Sequence, residues 1–160
     1  MGKLGYNTLT LTDLTETLPI SLILESNQEQ NIQTKEGDFY TPNFSLKGEE
    51  LIITPSLFLG SIEKEIPVNY TEGSYIYYEI GEMEKLEDGS VYEKQYYFYE
   101  GNESEEIYVD NKGCLHYKKN LERNLTIEAY VTGFKNKVDQ DSTIFRLVRA
   151  QNPITILLLE

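Results

Sequence analysis

The most reactive pair of side chains in this sequence is a cysteine and a histidine two positions apart, Cys114 and His116. Alternate residues of a β-strand share a face, so the two side chains would lie together. A thiol beside an imidazole can act as a nucleophile. Such pairs, however, usually come from distant parts of a chain, with a third group that orients the histidine. The spacing therefore favours the alternative, a small buried cysteine beside a half-exposed histidine.

The 27 acidic residues offer oxygen ligands and acid–base groups. One cluster comprises Glu103, Glu105, Glu106 and Asp110, and a second lies at 139–141. Neither follows the spacing of a calcium-binding loop, and a single histidine cannot build a histidine metal site. We therefore expect solvated acidic loops and no metal or cofactor. Two carboxylates at a suitable separation would hydrolyse a glycosidic bond, so a glycan hydrolase remains an alternative that only a structure can test.

Tyrosine is concentrated in the middle of the chain and is the residue type that most suggests a binding surface. A tyrosine offers a rigid apolar ring with a polar tip, which suits interfaces as well as strands. In the run 96–99 (YYFY), either the first and third residues or the second and fourth must face away from the core. The alternative is cross-strand aromatic packing on a sheet that lacks tryptophan. The candidate binding residues are Tyr75, Tyr77, Tyr96, Tyr97, Phe98 and Tyr99.

The elements that would position these residues are strands. Apolar and β-branched runs occur at 20–24, 51–59, 75–80 and 125–132, and turn residues punctuate the chain at short intervals. This pattern predicts an all-β fold, an Ig-like antiparallel β-sandwich with an additional N-terminal β-element. Pro55 lies inside one run and cannot donate to a ladder, so we expect that strand to be bulged there or to lie at an edge.

Composition limits the classes of partner. The chain has 160 residues and a net charge of −13. Such a surface repels phosphate, so we expect neither nucleic-acid binding nor membrane insertion. Cys114 is the only cysteine, which excludes an intrachain disulfide, so the fold depends on packing alone.

The two ends of the chain resemble each other. Residues 8–26 and 142–160 each contain an alternating strand, a polar middle, a proline (Pro19 or Pro153) and a second apolar strand. Strand composition is restricted, so the similarity can arise by chance. The other interpretation is that the chain ends where a second repeat would begin.

Three segments carry a resemblance to a known family. Residues 40–45 (YTPNFS) and 51–58 (LIITPSLF), followed by Gly60, resemble Ig-like repeats of bacteriophage minor tail and baseplate proteins. Both chain ends resemble the strand that joins one such repeat to the next. The resemblance implies a virion spacer, decoration or adhesive arm. The tryptophan that such repeats often carry is missing, and Tyr77 or Tyr78 occupies its expected position.

These observations lead to one interpretation. Residues 1–45 are expected to form an N-terminal β-element or linker strands, 46–152 the Ig-like sandwich, and 153–160 a strand leading to or pairing with a neighbouring module. We expect a non-enzymatic phage tail or baseplate component, assembled in the bacterial cytoplasm. Its expected partners are other virion proteins or copies of itself. The alternative is a carbohydrate-binding or host-adhesion module that holds a host surface glycan on a tyrosine-rich sheet face.

Overall fold

The structure, a computed structural model, describes residues 19–82, 87–89, 93–137 and 143–160. Every regular element in these ranges is a β-strand, and the strands form two sheets. The five-stranded sheet contains β1 (Ile20–Ser26), β4 (Leu51–Leu59), β5 (Ile62–Lys64), β9 (Ile107–Val109) and β10 (Leu115–Tyr117). The eight-stranded sheet contains β2 (Ile32–Glu36), β3 (Phe39–Thr41), β6 (Val68–Asn69), β7 (Ser74–Glu82), β8 (Gln95–Phe98), β11 (Leu125–Lys137), β12 (Thr143–Arg149) and β13 (Ile154–Leu159). The predicted all-β, sandwich-like fold is confirmed.

The five-stranded sheet is built around β4. This strand pairs along one side with β1, while its other side pairs first with β10 and then with β5. Pro55 lies between these two partners, since the β10 pairing ends at Ile53 and the β5 pairing begins at Leu57. Within the described residues the strand therefore has a partner on one side only at Pro55, as expected for a proline that cannot complete a ladder.

The eight-stranded sheet is centred on the antiparallel pair β7 and β11, which are in register over eight residue pairs. The other side of β11 is shared, because β13 pairs with its first residues and β12 with its second half. The β12 register shifts between Val131 and Phe134. Gly133 lies at this bulge with φ of 66°, and the carbonyl of Gly73 leaves no room for a side chain there. One pairing is parallel, that of β13 with β2.

The core lies between the two sheets, where the alternating apolar residues of the strands meet. The inward residues of β1, β4, β7 and β11 belong to one buried cluster, which includes Leu22, Leu24, Leu51, Ile53, Leu57, Ile76, Tyr78, Ile80, Ile127, Ala129 and Val131. Tyr78 is completely buried while Tyr77 points outward, and Tyr78 joins Phe44 and Tyr117 as aromatic residues of the core in this tryptophan-free protein.

Backbone and side-chain hydrogen bonds join β1 to residues 150–152, which link β12 to β13. Leu22 forms a parallel bridge with Ala150, and the Gln151 amide donates to the Leu22 carbonyl at 2.9 Å. The Asn152 side chain accepts from the Leu24 amide at 2.9 Å and donates to the Leu24 carbonyl at 2.6 Å. These contacts fix β1 of one sheet against the β12–β13 link of the other.

The two similar chain ends occupy different places in this fold. The strand after Pro19 is β1 of the five-stranded sheet, whereas the strand after Pro153 is β13 of the eight-stranded sheet. Residues 1–18 lie outside the described part of the chain. Each of the ranges 20–45, 46–152 and 153–160 contributes at least one strand to the two sheets. The predicted domain boundaries and the repeat hypothesis stay predictions.

Candidate binding face

The outer surface of the eight-stranded sheet carries a row of aromatic side chains. Because β7 and β11 place their apolar residues inward, Tyr75, Tyr77 and Tyr130 point outward. Tyr77 is in register with Tyr130 on one side and with Phe98 of β8 on the other. Tyr96 lies two residues before Phe98 and therefore shares its face. The sheet thus brings rings from three strands to the solvent side.

Ring contacts connect these residues into one cluster. Tyr77 stacks on Tyr130 with ring centroids 5.1 Å apart, and Tyr70 stacks on Phe98 at 4.4 Å. Tyr75 lies between the two stacks, 6.0 Å from Tyr77 and 4.9 Å from Tyr70. We name the aromatic face by its six residues, Tyr70, Tyr75, Tyr77, Tyr96, Phe98 and Tyr130.

A tight turn holds the Phe98 ring in place. The amide of Gly101 donates to the Phe98 carbonyl at 2.8 Å, and Glu100 inside the turn has a φ of 59°. The ring of Phe98 lies directly over Gly101, where a Cβ would collide with it. Phe98 is therefore sandwiched between the Tyr70 ring and the backbone of this turn.

Two ion pairs border the aromatic face, and within each pair the positive and negative charges cancel. Lys94 Nζ lies 2.6 Å from Glu79 Oε1, and the Arg149 guanidinium forms a two-pronged pair with Glu128 at 2.7 Å and 2.6 Å. The hydrogen bond from Arg149 lowers the pKa of Glu128, and the Glu79 hydrogen bond raises the pKa of Lys94. Arg149 also lies 5.9 Å from the centre of the Tyr130 ring, a cation–π contact. On this side of the face the border therefore consists of charged residues whose charges cancel within each pair.

Three tyrosines of the face have a raised pKa. Burial, with neighbouring charged or ionisable groups, raises the pKa of Tyr75, Tyr77 and Tyr130, so these three phenols stay protonated. A protonated phenol can both donate and accept a hydrogen bond. Tyr70 and Tyr96 are the most exposed rings of the face, at 55% and 48%.

Two shallow depressions flank Phe98. One, of about 460 Å³, is lined by Tyr75, Tyr77, Tyr96, Phe98 and Thr132. The other, of about 430 Å³, is lined by Val68, Asn69, Tyr70, Thr71, Phe98, Tyr99 and Glu100. Both lie on the surface rather than inside the sandwich, so the face offers a platform rather than an enclosed cavity.

The structure separates the candidate residues predicted from the sequence. Tyr75, Tyr77, Tyr96 and Phe98 lie on the aromatic face. In the run 96–99 it is the first and third residues that face outward, while Tyr97 and Tyr99 pack against the core. The face also includes Tyr70 and Tyr130, which the sequence-based choice omitted. Tyr130 was predictable, because the residues before and after it alternate onto the buried face of β11.

The cysteine and the histidine each contact the same aspartate, Asp110. The carboxylate of Asp110 accepts from the amides of Lys112 and Cys114 at 2.9 Å and 3.0 Å, and its second oxygen lies 2.8 Å from His116 Nε2. The His116 ring stacks on Tyr108 at 4.6 Å. Burial, with the nearby Asp110 charge, raises the pKa of the Cys114 thiol. A nucleophilic cysteine needs a lowered pKa. The contacts of Asp110 with the Lys112 and Cys114 amides and with His116 instead close the turn of the β9–β10 hairpin.

Metal and membrane sites gain no support from the described residues. In those ranges no group of three histidine, cysteine or acidic side chains is arranged to hold a metal ion. The second acidic cluster, 139–141, lies outside them. Nor does the described part contain a helix of the length and apolarity that a membrane span requires.

The chain was compared with protein-family models, with curated proteins and with solved structures, and none of the three comparisons finds a match.

Proposed function

We propose that this protein is a non-enzymatic interaction module that holds its partner against the aromatic face. The sequence resemblance to Ig-like repeats extends the proposal to a structural component of a phage tail or baseplate, assembled in the bacterial cytoplasm. Its partners are then other tail proteins or further copies of the same chain.

One observation carries the proposal: six aromatic rings form a continuous cluster on the solvent side of a sheet whose inner side already has a complete core. Contiguous exposed apolar surface rimmed by polar groups is typical of interaction sites. Tyrosine is also enriched at interfaces, where its ring is covered and its hydroxyl finds a partner.

The behaviour of the acidic groups supports a non-enzymatic role. A glycan hydrolase needs a carboxyl group whose pKa is raised so that it can act as an acid. Three described carboxyl groups have a shifted pKa, and in each the pKa is lowered: Glu50, Asp110 and Glu128. The paired carboxylates nearest the aromatic face, Glu79 and Glu128, are both held by cations.

Photo-crosslinking in the bacterium in which the particles assemble tests the proposal. A benzophenone amino acid replaces Tyr96 in one variant and Phe39, an exposed aromatic residue on the distant strand β3, in a matched control. We expect position 96 to crosslink to one tail or baseplate protein, or to another copy of the chain, in assembled particles. Absence of the chain from purified particles would overturn the virion assignment. Equal crosslinking from both positions would overturn the role of the aromatic face.

A second candidate function is a carbohydrate-binding or host-adhesion module that uses the same face. The observation that favours it is the depression lined by Tyr75, Tyr77, Tyr96, Phe98 and Thr132, which presents phenol hydroxyls and rings and has no charged lining residue.

A further inference from the structure

We propose that the aromatic face binds an uncharged polysaccharide that lies across the eight-stranded sheet. This inference rests on the proposed role of the aromatic face and develops its second candidate function, because it names the chemistry of the carbohydrate that the face would hold. Three features of the face argue for it: charge, hydrogen-bonding capacity and shape.

Charge selects against ionic partners. The chain carries a net charge of −13, so an anionic polymer approaching the face is repelled by the surrounding surface. A cationic partner finds Glu79 and Glu128 at the border already paired with Lys94 and Arg149. Separating either pair would remove the charge compensation of a carboxylate that is mostly buried. Glu100 lines the depression beside Tyr70, but the depression lined by Tyr75, Tyr77, Tyr96, Phe98 and Thr132 has no charged lining residue. This part of the face therefore suits a partner without charge.

Hydrogen-bonding capacity fits hydroxyl groups. Tyr70, Tyr75, Tyr77 and Tyr96 are exposed or half-buried on the solvent side of the sheet, and each carries a hydroxyl. Each can donate to and accept from a sugar hydroxyl, since both groups are neutral alcohols. The rings supply the apolar surface against which the C–H side of a sugar packs. A saccharide is the polymer that repeats an apolar face and several hydroxyls in every unit.

Shape fits a polymer better than a small molecule. A small-molecule pocket encloses most of its ligand, whereas the depressions of about 460 Å³ and 430 Å³ lie open on the surface. The rings of Tyr130, Tyr77, Tyr75 and Tyr70 follow one another at centroid spacings of 5.1, 6.0 and 4.9 Å, each close to the length of one sugar ring. The stacks of Tyr77 on Tyr130 and of Tyr70 on Phe98 cover part of these rings, so a chain of sugars that crosses the face would contact the exposed parts of successive rings.

Affinity electrophoresis in native gels tests this proposal, and the high negative charge of the protein gives it strong mobility. The probes are the neutral polymers dextran, galactomannan and hydroxyethylcellulose, and the anionic polymers dextran sulfate and polygalacturonate. We expect at least one neutral polymer to retard the protein and neither anionic polymer to do so. In the double variant Tyr70→Ala/Tyr96→Ala, the dissociation constant should rise by about tenfold or more, which is about 1.4 kcal/mol.

The control is a double variant of exposed residues elsewhere, Phe39→Ala/Ile62→Ala, which should bind like the natural protein. Retardation by no neutral polymer, retardation by the anionic ones, or unchanged binding by Tyr70→Ala/Tyr96→Ala would each overturn the inference. If these outcomes occur while position 96 still crosslinks to a tail protein, the proposed function stands and the polysaccharide inference fails. If crosslinking also fails, both fall together.

Discussion

The hydroxyl of Tyr78 donates a hydrogen bond of 2.6 Å to the backbone carbonyl of Gly113 inside the sandwich. Tyr78 belongs to β7 of the eight-stranded sheet, and Gly113 lies in the turn between β9 and β10 of the five-stranded sheet. Burial raises the pKa of Tyr78 well above its usual value, so the donor keeps its proton. The bond links the two sheets at a site that water does not reach.

Tyr78→Phe should therefore lower the free energy of unfolding by about 1–3 kcal/mol, because it leaves the Gly113 carbonyl without this partner in the core. Urea titration measures the change. The neighbouring variant Tyr77→Phe removes an outward hydroxyl and should alter stability by less than about 0.5 kcal/mol. Equal effects of the two variants would show that the buried bond contributes nothing.

Gly101→Ala should destabilise the protein by about 1–3 kcal/mol, since the new methyl group overlaps the Phe98 ring and forces it to move. The near-ultraviolet circular dichroism of the aromatic face should change with it. The double variant Gly101→Ala/Phe98→Ala should be no less stable than Phe98→Ala alone, because the overlap is gone. Additive losses in the double variant would contradict this account.

Gln33→Leu should cost about 3 kcal/mol of stability. Gln33 is completely buried, donating to the Pro42 carbonyl at 2.8 Å and to the Asn120 side chain at 2.7 Å, and accepting from the Leu121 amide at 2.9 Å. Leucine leaves buried backbone groups unpaired. Thermal unfolding measures the loss, and the exposed neighbour Thr34, changed to Val, is the control. A loss no larger than that of Thr34→Val would refute the prediction.

Asp110 should make part of the stability depend on pH. Burial acts to raise its pKa, but hydrogen bonds from His116 and from the amides of Lys112 and Cys114 outweigh burial, so the pKa lies below its usual value. A group with a depressed folded-state pKa stabilises the protein above its unfolded value and loses that contribution as pH falls through the folded value. The stability difference between the natural protein and Asp110→Asn should therefore shrink below about pH 4. Urea midpoints across this range measure it, and a constant difference would contradict the assignment.

The Cys114 thiol should react slowly with a disulfide reagent at neutral pH. Its pKa is raised, chiefly by burial, so little thiolate is present, and Cys114 is the only cysteine that can report. The reaction with Ellman's reagent should be slower than that of free glutathione and should become fast in denaturant. A rate in the folded protein above that of glutathione would restore the nucleophile hypothesis.

The sequence predicted the strands and their class, because their alternation is a local property. The runs 75–80 and 125–132 correctly predicted β7 and the first part of β11. Which half of the run 96–99 faces outward depended on the register of β8 against β7, a contact between strands that no local pattern specifies.

The composition of the aromatic face was only partly predictable for the same reason. Tyr70 joins the cluster through its stack on Phe98, which lies 28 positions later in the chain. The ion pairs beside the face were not predictable either, because residues such as Arg149 and Glu128 face each other only after β12 and β11 have paired. Tertiary contacts of this kind are not encoded in any short segment.

The position of β13 has a consequence for biosynthesis. This strand lies between β2 and β11 in its sheet. Just before it, the Asn152 side chain forms two hydrogen bonds with the Leu24 backbone of β1. During translation, β1 can pair with β4 as soon as residues 51–59 emerge, but β2 emerges long before β13, its parallel partner. The β13 side of β2 and the Leu24 backbone groups held by Asn152 stay open until residues 150–159 emerge, so the sandwich closes only after this segment is made.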